Sequence, residues 1–490
     1  MAGKRLGLLL GAALGIYAVQ AAASPVPVPV PVPQVSGPIA SPDLPGTPSH
    51  NYIFFASNHD LASHGYVEQE FFIQGTARTF EFSPGQTATL KDAGQPYVTR
   101  IVVRRPADAR RFNGTVLVEW DNVTNLFDAE NFWFFGWEHI MRAGYVWVGV
   151  STQTIGVAAL KKWSPQRYGA LDVGKIVASG AFGRGPDRDA MSYDIFSQVG
   201  QALRHPGGVD MLQGLTPKVL LAVGESQSAS RLTNYVNSIH PLARVYDGFL
   251  LLSPLGQRIR DDLPSPVLKL DTEYDVVGSE AAVRQPDTAK FRTWEVAGAS
   301  HVDQHLRASR EAVELRDNGV SLEAKLAPLC AVPSIGTRVP TQYVVASALD
   351  KLSAWAAGGP PPPTAPRLTM TQILQRPHPS VIARDQDGLA LGGIRLAALA
   401  VPTQFNVGVS KPAQADNGPS REAIGAGACV RWGYSTDMSI AQLDAHYASH
   451  ADYVARVRRA AEDNVKKGYV LPEDAAATIR AAQASHVGEH

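Results

Sequence analysis

Short apolar segments bounded by glycine and proline recur along the first third of the chain. FFIQGTA from Phe71, RIVVRRP from Arg100, GTVLVEW from Gly114 and YVWVGVS from Tyr145 are rich in β-branched and aromatic residues, which predicts strands. A stretch with helical spacing separates the last two of them. This alternation of apolar strand and helix is typical of a mostly parallel sheet with helices on both faces.

The alternation continues through the middle of the chain. SYDIFSQVGQALR from Ser192 and ASRLTNYVNSIH from Ala229 have helical spacing, and PKVLLAVGES lies between them as a continuous apolar run. Three more strands are predicted in YDGFLLLSP, PVLKLDTEYD and RTWEVAGASH, and each ends in polar residues. The carboxyl ends of parallel strands border the binding crevice of an open α/β sheet, so these polar residues are candidates for a site.

Domain boundaries follow from changes in this rhythm. After about residue 306 the alternation weakens, although 341–359 has the spacing of a helix that glycine and the following proline run stop. Helical spacing returns between Ile440 and Ala482. We therefore expect an α/β core at 49–305, an insertion that shapes the pocket at 306–430, and a C-terminal helical segment at 431–490 that packs on the core.

The N-terminus has the pattern of a signal peptide. Lys4 and Arg5 precede an apolar run, and Ala21 to Ala23 supply small residues for cleavage. The run is shorter than the ~20 apolar residues of a membrane span, so we expect residues 1–23 to be removed and the protein to be secreted or periplasmic. A membrane anchor is the alternative interpretation. Residues 24–48 begin with PVPVPVPVP, which predicts a stiff polyproline II spacer that ties the domain to nothing.

Composition narrows the range of partners. Hydrophobic residues make up 45% of the chain and charged residues 18%, which suits a large folded core. The 45 basic residues equal the 45 acidic ones, and this balance argues against nucleic acid as a partner. Cys330 and Cys429 are the two cysteines, and export to an oxidising compartment favours a disulfide between them; two buried free thiols are the alternative.

The motif G-E-S-Q-S at Gly224 to Ser228 lies between a predicted strand and a predicted helix, the context of a nucleophile elbow. In such a tight turn Ser226 takes a strained backbone conformation, at about 1–3 kcal/mol, that lifts its hydroxyl out of the sheet. Ser228 departs from the last glycine of G-x-S-x-G, so we expect the helix to stand slightly further from the strand. A helix-capping serine without a catalytic role is the alternative interpretation.

A serine nucleophile needs a base, and this kind of site has the chain order serine, acid, histidine. His301, in AGASHVD after a predicted strand, fits that order. His305 is a competing candidate, and His240 comes too early. An imidazole titrates close to neutral pH, so it can accept the serine proton and later protonate the leaving group.

The acid of the site is expected in LDTEYD, where the preceding strand ends. Asp275 lies furthest past the strand, and Glu273 is the runner-up. Either could instead be a solvated loop carboxylate. The functional carboxylate would hold His301 in the productive tautomer and stabilise the imidazolium that forms.

Two backbone amides are candidates for an oxyanion hole. The N–H of Gln227 begins the helix after the elbow, and the N–H of Asn122 lies in the loop after an earlier strand. Trp133, Trp137 and Trp294 could line an apolar pocket, although packing in the core explains each of them as well. The spacing of Cys, His and carboxylates indicates no metal site, and we expect no cofactor.

Several segments together resemble one known family. They are FNGTVLVEWDNVTN, VGESQSASRLTNYVN, LDTEYDV, AGASHVD, DGLALGGIRL and LDAHYASHADYVARV. The chain resembles, over nearly all of its length after residue 50, the alpha/beta hydrolase domain proteins with a GESQS elbow, a set of exported bacterial and fungal proteins. The resemblance implies the α/β-hydrolase fold, a serine at Ser226, a histidine at His301 and an acid in TEYD, but it gives no agreed substrate.

The function that these patterns favour is that of a secreted serine hydrolase that cleaves carboxylic esters through an acyl-enzyme. Its substrate would be a small-molecule or polymer ester. Amide hydrolysis or acyl transfer by the same residues is one alternative. A non-catalytic binding protein of the same fold is the other.

Overall fold

The structure is a computed structural model of the chain. It describes residues 27–83, 85–175, 189–321, 328, 330–332, 336–375, 378–410 and 429–489, with only the backbone of residue 93. The expected signal peptide at residues 1–23 lies outside the described residues, as do parts of the expected insertion at 306–430.

The centre of the fold is one nine-stranded sheet. Its strands are β1 Gln34–Ser36, β2 Tyr66–Glu81, β3 Thr89–Pro106, β4 Thr115–Trp120, β5 Val146–Val150, β6 Val219–Glu225, β7 Gly248–Leu252, β8 Val267–Thr272 and β9 Phe291–Val296. They lie in the order β1-β2-β3-β5-β4-β6-β7-β8-β9. The first three strands and the β3–β5 pair are antiparallel, and every pair beyond β5 is parallel.

Burial explains why the parallel strands have continuous apolar sequences. Every residue of β4, β5, β6, β7 and β8 is buried. A strand covered on both faces has no solvent side, so apolar residues occupy successive positions instead of alternating with polar ones. Two of the polar exceptions, Glu225 and Thr272, lie at the carboxyl ends of β6 and β8.

Thirteen α-helices are distributed along the described chain. They are α1 Asn131–Ala143, α2 Thr154–Trp163, α3 Pro165–Tyr168, α4 Ser192–Arg204, α5 Gln227–Asn234, α6 His240–Ala243, α7 Glu273–Gly278, α8 Gln304–Asn318, α9 Thr341–Ala356, α10 Ala397–Ala400, α11 Ile440–His446, α12 His450–Lys467 and α13 Pro472–Gln483. Two small antiparallel ribbons pair β10 Met370–Gln372 with β11 Val381–Ile382 and β12 Gln404–Val407 with β13 Tyr434–Asp437. Within the residues described, no helix has both the length and the apolar character needed to cross a membrane.

The helices cover both faces of the sheet, as two glycines show. A Cβ added to Gly224 would lie 3.0 Å from Leu232 of α5, and one added to Gly248 would lie 3.4 Å from Leu352 of α9. Gly224 of β6 pairs with Leu251 of β7, so these two residues point to the same face of the sheet. Leu251 lies three residues after Gly248 on β7, so Gly248 points to the other face. Because successive residues of a strand point to opposite faces, α5 and α9 lie on opposite sides of the sheet.

The segment at 306–430 contributes more to the core than the expected insertion would. The helix α9 packs on β6, β7 and β8, so it forms part of the helical layer over the parallel sheet. The C-terminal helices α12 and α13 pack against each other, and Arg142 of α1 forms a 2.9 Å ion pair with Asp474 of α13. Tyr469, between these two helices, makes an edge contact with Trp294 of β9.

The proline-rich segment differs from the expectation that it ties the domain to nothing. The Val28 N–H donates to the carbonyl of Leu242 over 2.9 Å, and β1 pairs with β2. Val30 and Pro33 are buried although their neighbours are exposed. This spacing of three residues matches one turn of polyproline II, which places one row of side chains against the domain. The described part of the valine-proline repeat therefore packs on the domain.

A disulfide joins Cys330 and Cys429, which are 99 residues apart in the chain. Both cysteines are buried and form an apolar cluster with Trp432, on which Val302 also packs. Val302 follows His301 directly, so the disulfide fixes the chain at 429–432 against the loop that bears this histidine.

Replacing both cysteines by serine should lower the free energy of unfolding by about 4 kcal/mol, because the cross-link closes a long loop and restricts the unfolded chain. Chemical denaturation of wild type and of the Cys330→Ser, Cys429→Ser variant measures the difference. Wild type treated with a reductant should approach the variant, and the variant itself should not respond to the reductant. Equal stability of the two proteins would contradict the expectation.

Candidate active site

The site is organised by a sharp bend at Ser226, between β6 and α5. Its backbone has φ 56° and ψ −113°, a region that non-glycine residues avoid. The Ser226 N–H donates to the carbonyl of Leu252 over 2.9 Å, which ties the bend to the adjacent strand β7. Gly224 lets α5 approach, since an added Cβ would meet the Ala229 nitrogen at 3.1 Å.

Ser228, where the motif usually has glycine, holds the helix to the end of the strand by hydrogen bonds. Its hydroxyl donates to the Glu225 carbonyl over 2.9 Å and lies 3.0 Å from the Glu225 N–H, which donates to it. These two bonds pair the last residue of β6 with the first turn of α5. The departure from the G-x-S-x-G pattern is therefore accommodated by hydrogen bonds.

The structure brings together Ser226, His301 and Asp275 from three distant parts of the chain. The Nε2 atom of His301 lies 2.8 Å from the Oγ atom of Ser226. Its Nδ1 atom lies 2.8 Å from the Oδ1 atom of Asp275. A carboxylate only accepts hydrogen bonds, so Nδ1 carries a proton and Nε2 is left to accept the serine proton.

The two candidate acids have different surroundings. The second oxygen of Asp275 accepts from the N–H and the hydroxyl of Thr272, at 2.8 and 2.7 Å, which fixes the carboxylate toward His301. Glu273 instead accepts from the Gly298 N–H over 2.6 Å and pairs with Arg384 over 3.0 Å. Glu273 thus braces the loop before the histidine and does not contact the imidazole.

The other histidines lie away from the serine. The Nε2 atom of His305 is 3.6 Å from Glu138, and burial lowers the pKa of His305 to about 4. His240 lies 2.9 Å from the hydroxyl of Ser265, and burial lowers its pKa to about 3. Neither imidazole reaches Ser226.

A second carboxylate, that of Glu225, faces the same imidazole. Its Oε2 atom accepts from the side-chain amides of Asn131 and Asn122, at 2.8 and 3.3 Å. Its Oε1 atom lies 3.4 Å from Nε2 of His301 and has no hydrogen-bond partner among the described residues. Burial raises the pKa of Glu225, and the nearby His301 and Asn131 oppose that effect.

The charge on His301 reflects both carboxylates. Burial lowers the pKa of the imidazole, but Asp275 and Glu225 together raise it, and the pKa lies above its usual 6.5. Arg431 works in the opposite direction. The two acids therefore stabilise an imidazolium in a fully buried position, as a proton-accepting base requires.

The two predicted oxyanion amides have different outcomes. The Gln227 N–H begins α5 and donates to no other residue that the structure describes. The prediction for Asn122 is wrong, because its N–H donates to the Ala129 carbonyl over 2.8 Å in a bridge that closes the loop. The next amide, that of Val123, donates to the side-chain oxygen of Gln227 over 3.3 Å, its one bond among the described residues.

The cavity over Ser226 has lining residues that were not found from the sequence, among them Arg310, Arg431 and Trp432. They come from α8 and from the chain after Cys429, and no motif surrounds them. Of the predicted tryptophans, Trp133 and Trp294 are fully buried in the core. Proximity to a disulfide partner is the one signal that could have pointed to Trp432.

A mostly parallel sheet with a serine on a strand-turn-helix bend at its carboxyl edge is the architecture of the α/β-hydrolase class. The chain belongs to the family described as alpha/beta hydrolase domain, whose model matches residues 32–480. The family and the fold predicted from the sequence are thereby confirmed. No curated protein sequence matches this chain.

Several solved structures match part of the chain. An esterase from Xanthomonas oryzae that degrades the rice cell wall is 12% identical, with 39% of this chain and 43% of that chain covered and a TM-score of 0.23. A serine hydrolase without a lid from Xanthomonas campestris is 13% identical, with coverages of 50% and 94% and a TM-score of 0.27. A fungal esterase structure from Rhizomucor miehei is 11% identical, with coverages of 51% and 82% and a TM-score of 0.25. These likenesses are too distant to indicate a substrate.

Replacing Glu225 by glutamine should shift the pH dependence of Ser226 reactivity toward lower pH. The base must be neutral, and its neutral fraction is lost as pH falls through a pKa that lies above 6.5 in wild type. Glutamine removes one of the two charges that raise this pKa. The measurement is the second-order rate of inactivation by a fluorophosphonate across pH.

The matched control is Glu311→Gln, on an outer position of α8 where the carboxylate pairs with Arg307. This variant should keep the wild-type pH midpoint. An unchanged midpoint in Glu225→Gln would contradict the role given to Glu225.

Proposed function

We propose that this protein is a secreted serine hydrolase that cleaves carboxylic esters through an acyl-enzyme. The observation that carries the proposal is the line of contacts from Ser226 Oγ to His301 Nε2 and from His301 Nδ1 to Asp275, each 2.8 Å long. These lengths are within the range for proton transfer. Export is supported by the paired cysteines, since a disulfide persists in an oxidising compartment.

In the first half of the reaction, Ser226 Oγ attacks the ester carbonyl carbon while its proton moves to Nε2 of His301. The carbon–oxygen bond to the alcohol then breaks, and the leaving alcohol takes that proton. In the second half, water attacks the acyl-enzyme and gives a proton to Nε2. The carboxylic acid leaves as Ser226 Oγ recovers the proton, so the enzyme is regenerated.

The negative oxygen of each tetrahedral intermediate needs hydrogen-bond donors. The Gln227 N–H is one proposed donor, since it is uncommitted among the described residues and lies at the positive end of α5. We assign the role of second donor to the Val123 N–H. Its 3.3 Å bond to the Gln227 side chain is long, so a bond to the negative oxygen of the intermediate can replace it.

Ser226→Ala should abolish fluorophosphonate labelling and lower ester kcat/KM by at least about 10³-fold, because the variant lacks the hydroxyl that lies 2.8 Å from the Nε2 atom of His301. Labelling of the purified protein and hydrolysis of 4-nitrophenyl acetate measure the two effects. The control Ser347→Ala removes a serine hydroxyl that bonds to Gly468, and it should label like wild type. Equal labelling of Ser226→Ala and wild type would reject the proposal that the protein is a serine hydrolase.

The same protein can be tested for the alternative activities with matched anilides and with added alcohols. If it hydrolyses the anilides, or transfers the acyl group to the alcohols, faster than it hydrolyses the esters, an amidase or an acyltransferase is favoured.

Asp275→Asn should lower kcat by about 10⁴-fold, because the amide no longer holds His301 in the productive tautomer. Glu273→Gln is the matched comparison, and it should reduce thermal stability more than kcat, since Glu273 braces Gly298 and Arg384. Steady-state kinetics and thermal unfolding of both variants separate the two roles. A larger loss of kcat in Glu273→Gln than in Asp275→Asn would reverse the assignment.

A further inference from the structure

Most of the residues that line the cavity over Ser226 are polar. Its volume is about 40 Å³, and the polar side chains that face it include Asn122, Asn125, Asn131, Arg310 and Arg431. Amide and guanidinium groups donate hydrogen bonds. Such a wall suits a short, polar substrate better than a long acyl chain, which needs an extended apolar channel.

The two arginines of the wall differ in their partners. Arg310 is 3% exposed, and its Nε atom lies 3.1 Å from the carboxylate of Glu314. Its Nη1 atom donates to the side-chain oxygen of Asn131 over 3.0 Å. The charge of Arg310 is therefore compensated within the protein.

Arg431 is half-buried, and no carboxylate of the described part of the chain lies within ion-pair distance of its guanidinium. The same group lowers the pKa of His301, so its charge acts directly on the reaction centre. A partly desolvated cation beside a reacting serine favours an anion at that place.

The backbone that bears Arg431 is held in position. Its carbonyl accepts the N–H of Val302 over 3.3 Å, next to His301. The following residue, Trp432, is buried with the Cys330–Cys429 disulfide. A preorganised guanidinium loses less conformational entropy when it binds an anion than one on a free loop.

We infer that Arg431 is a specificity residue that binds a carboxylate carried by the ester substrate, so the preferred substrates are short esters with a second, ionised acid group. A guanidinium matches a carboxylate through paired hydrogen bonds, which gives direction as well as charge. This inference rests on the proposed ester hydrolysis. It names the class of substrate for the same site.

Two pairs of esters of similar size test the inference. 4-Nitrophenyl hemisuccinate against 4-nitrophenyl butyrate places the carboxylate on the acyl side. Acetoxyacetate against propyl acetate places it on the alcohol side. In wild type, the carboxylate ester of at least one pair should have a kcat/KM about 10- to 100-fold higher than its neutral partner, the range of a charged hydrogen bond.

Arg431→Gln should bring that ratio to about one, mainly through a higher KM for the charged ester, and Arg431→Lys should keep part of the preference. The control Arg458→Gln, on the exposed side of α12, should keep the full ratio. Thermal unfolding of each variant verifies that it is folded. If Arg431→Gln does not fold, the inference is still tested by the ratio of kcat/KM values in wild type and by the reduced ratio expected in Arg431→Lys.

A ratio of one or less in both wild-type pairs, or an unchanged ratio in Arg431→Gln, would overturn the inference. Hydrolysis of the neutral esters together with fluorophosphonate labelling would leave the proposed function standing in that case. No hydrolysis of all four esters and no labelling would overturn both.

Discussion

The strained backbone of Ser226 is the constraint on which the rest of the site depends. With φ at 56° the residue turns the chain from β6 into α5 within one position, and this turn aims Oγ at the imidazole of His301. The conformation costs about 1–3 kcal/mol, so the surroundings must hold it. The hydroxyl of Ser228, the carbonyl of Leu252 and the missing side chain of Gly224 supply that support.

Two carboxylates beside His301 set the electrostatics of the site. His301 has one carboxylate at each ring nitrogen, Asp275 within hydrogen-bond distance and Glu225 at 3.4 Å. Burial alone would make an imidazolium costly, and these two charges reverse the direction of the shift. Glu225 itself is held by Asn131 at the start of α1, and Glu119 accepts the N–H groups of the next two residues of that helix. The loop and helix after β4 thus share in positioning the base.

The sequence allowed the parallel strands and the serine–acid–histidine order to be predicted, because both depend on local patterns and on one fixed chain order. Glu273 and Asp275 lie two residues apart, and their different roles depend on the partners of Glu273. These partners are Gly298 and Arg384, which only the folded chain brings near it. The Asn122 amide was misassigned for a similar reason, since its bridge to Ala129 closes a loop that no propensity reveals.

The arginines that line the cavity could not be predicted from the sequence for a different reason. Arg310 and Arg431 stand far apart in the chain, on a helix and after a cysteine, and neither belongs to a motif. The composition of the proline-rich segment did not predict its packing either. The valine-proline repeat is typical of a free spacer, but the side chains of Val30 and Pro33 are buried against the domain.

The central claim is that Ser226 becomes covalently acylated with His301 as its base. Rapid acid quenching of the protein during turnover of 4-nitrophenyl acetate, followed by peptide mapping by mass spectrometry, tests it most directly. We expect one acetyl group per chain, on the peptide that contains Ser226, and none in a His301→Ala variant at the same time point. An acetyl group on another residue, or turnover without any acylated peptide, would contradict it.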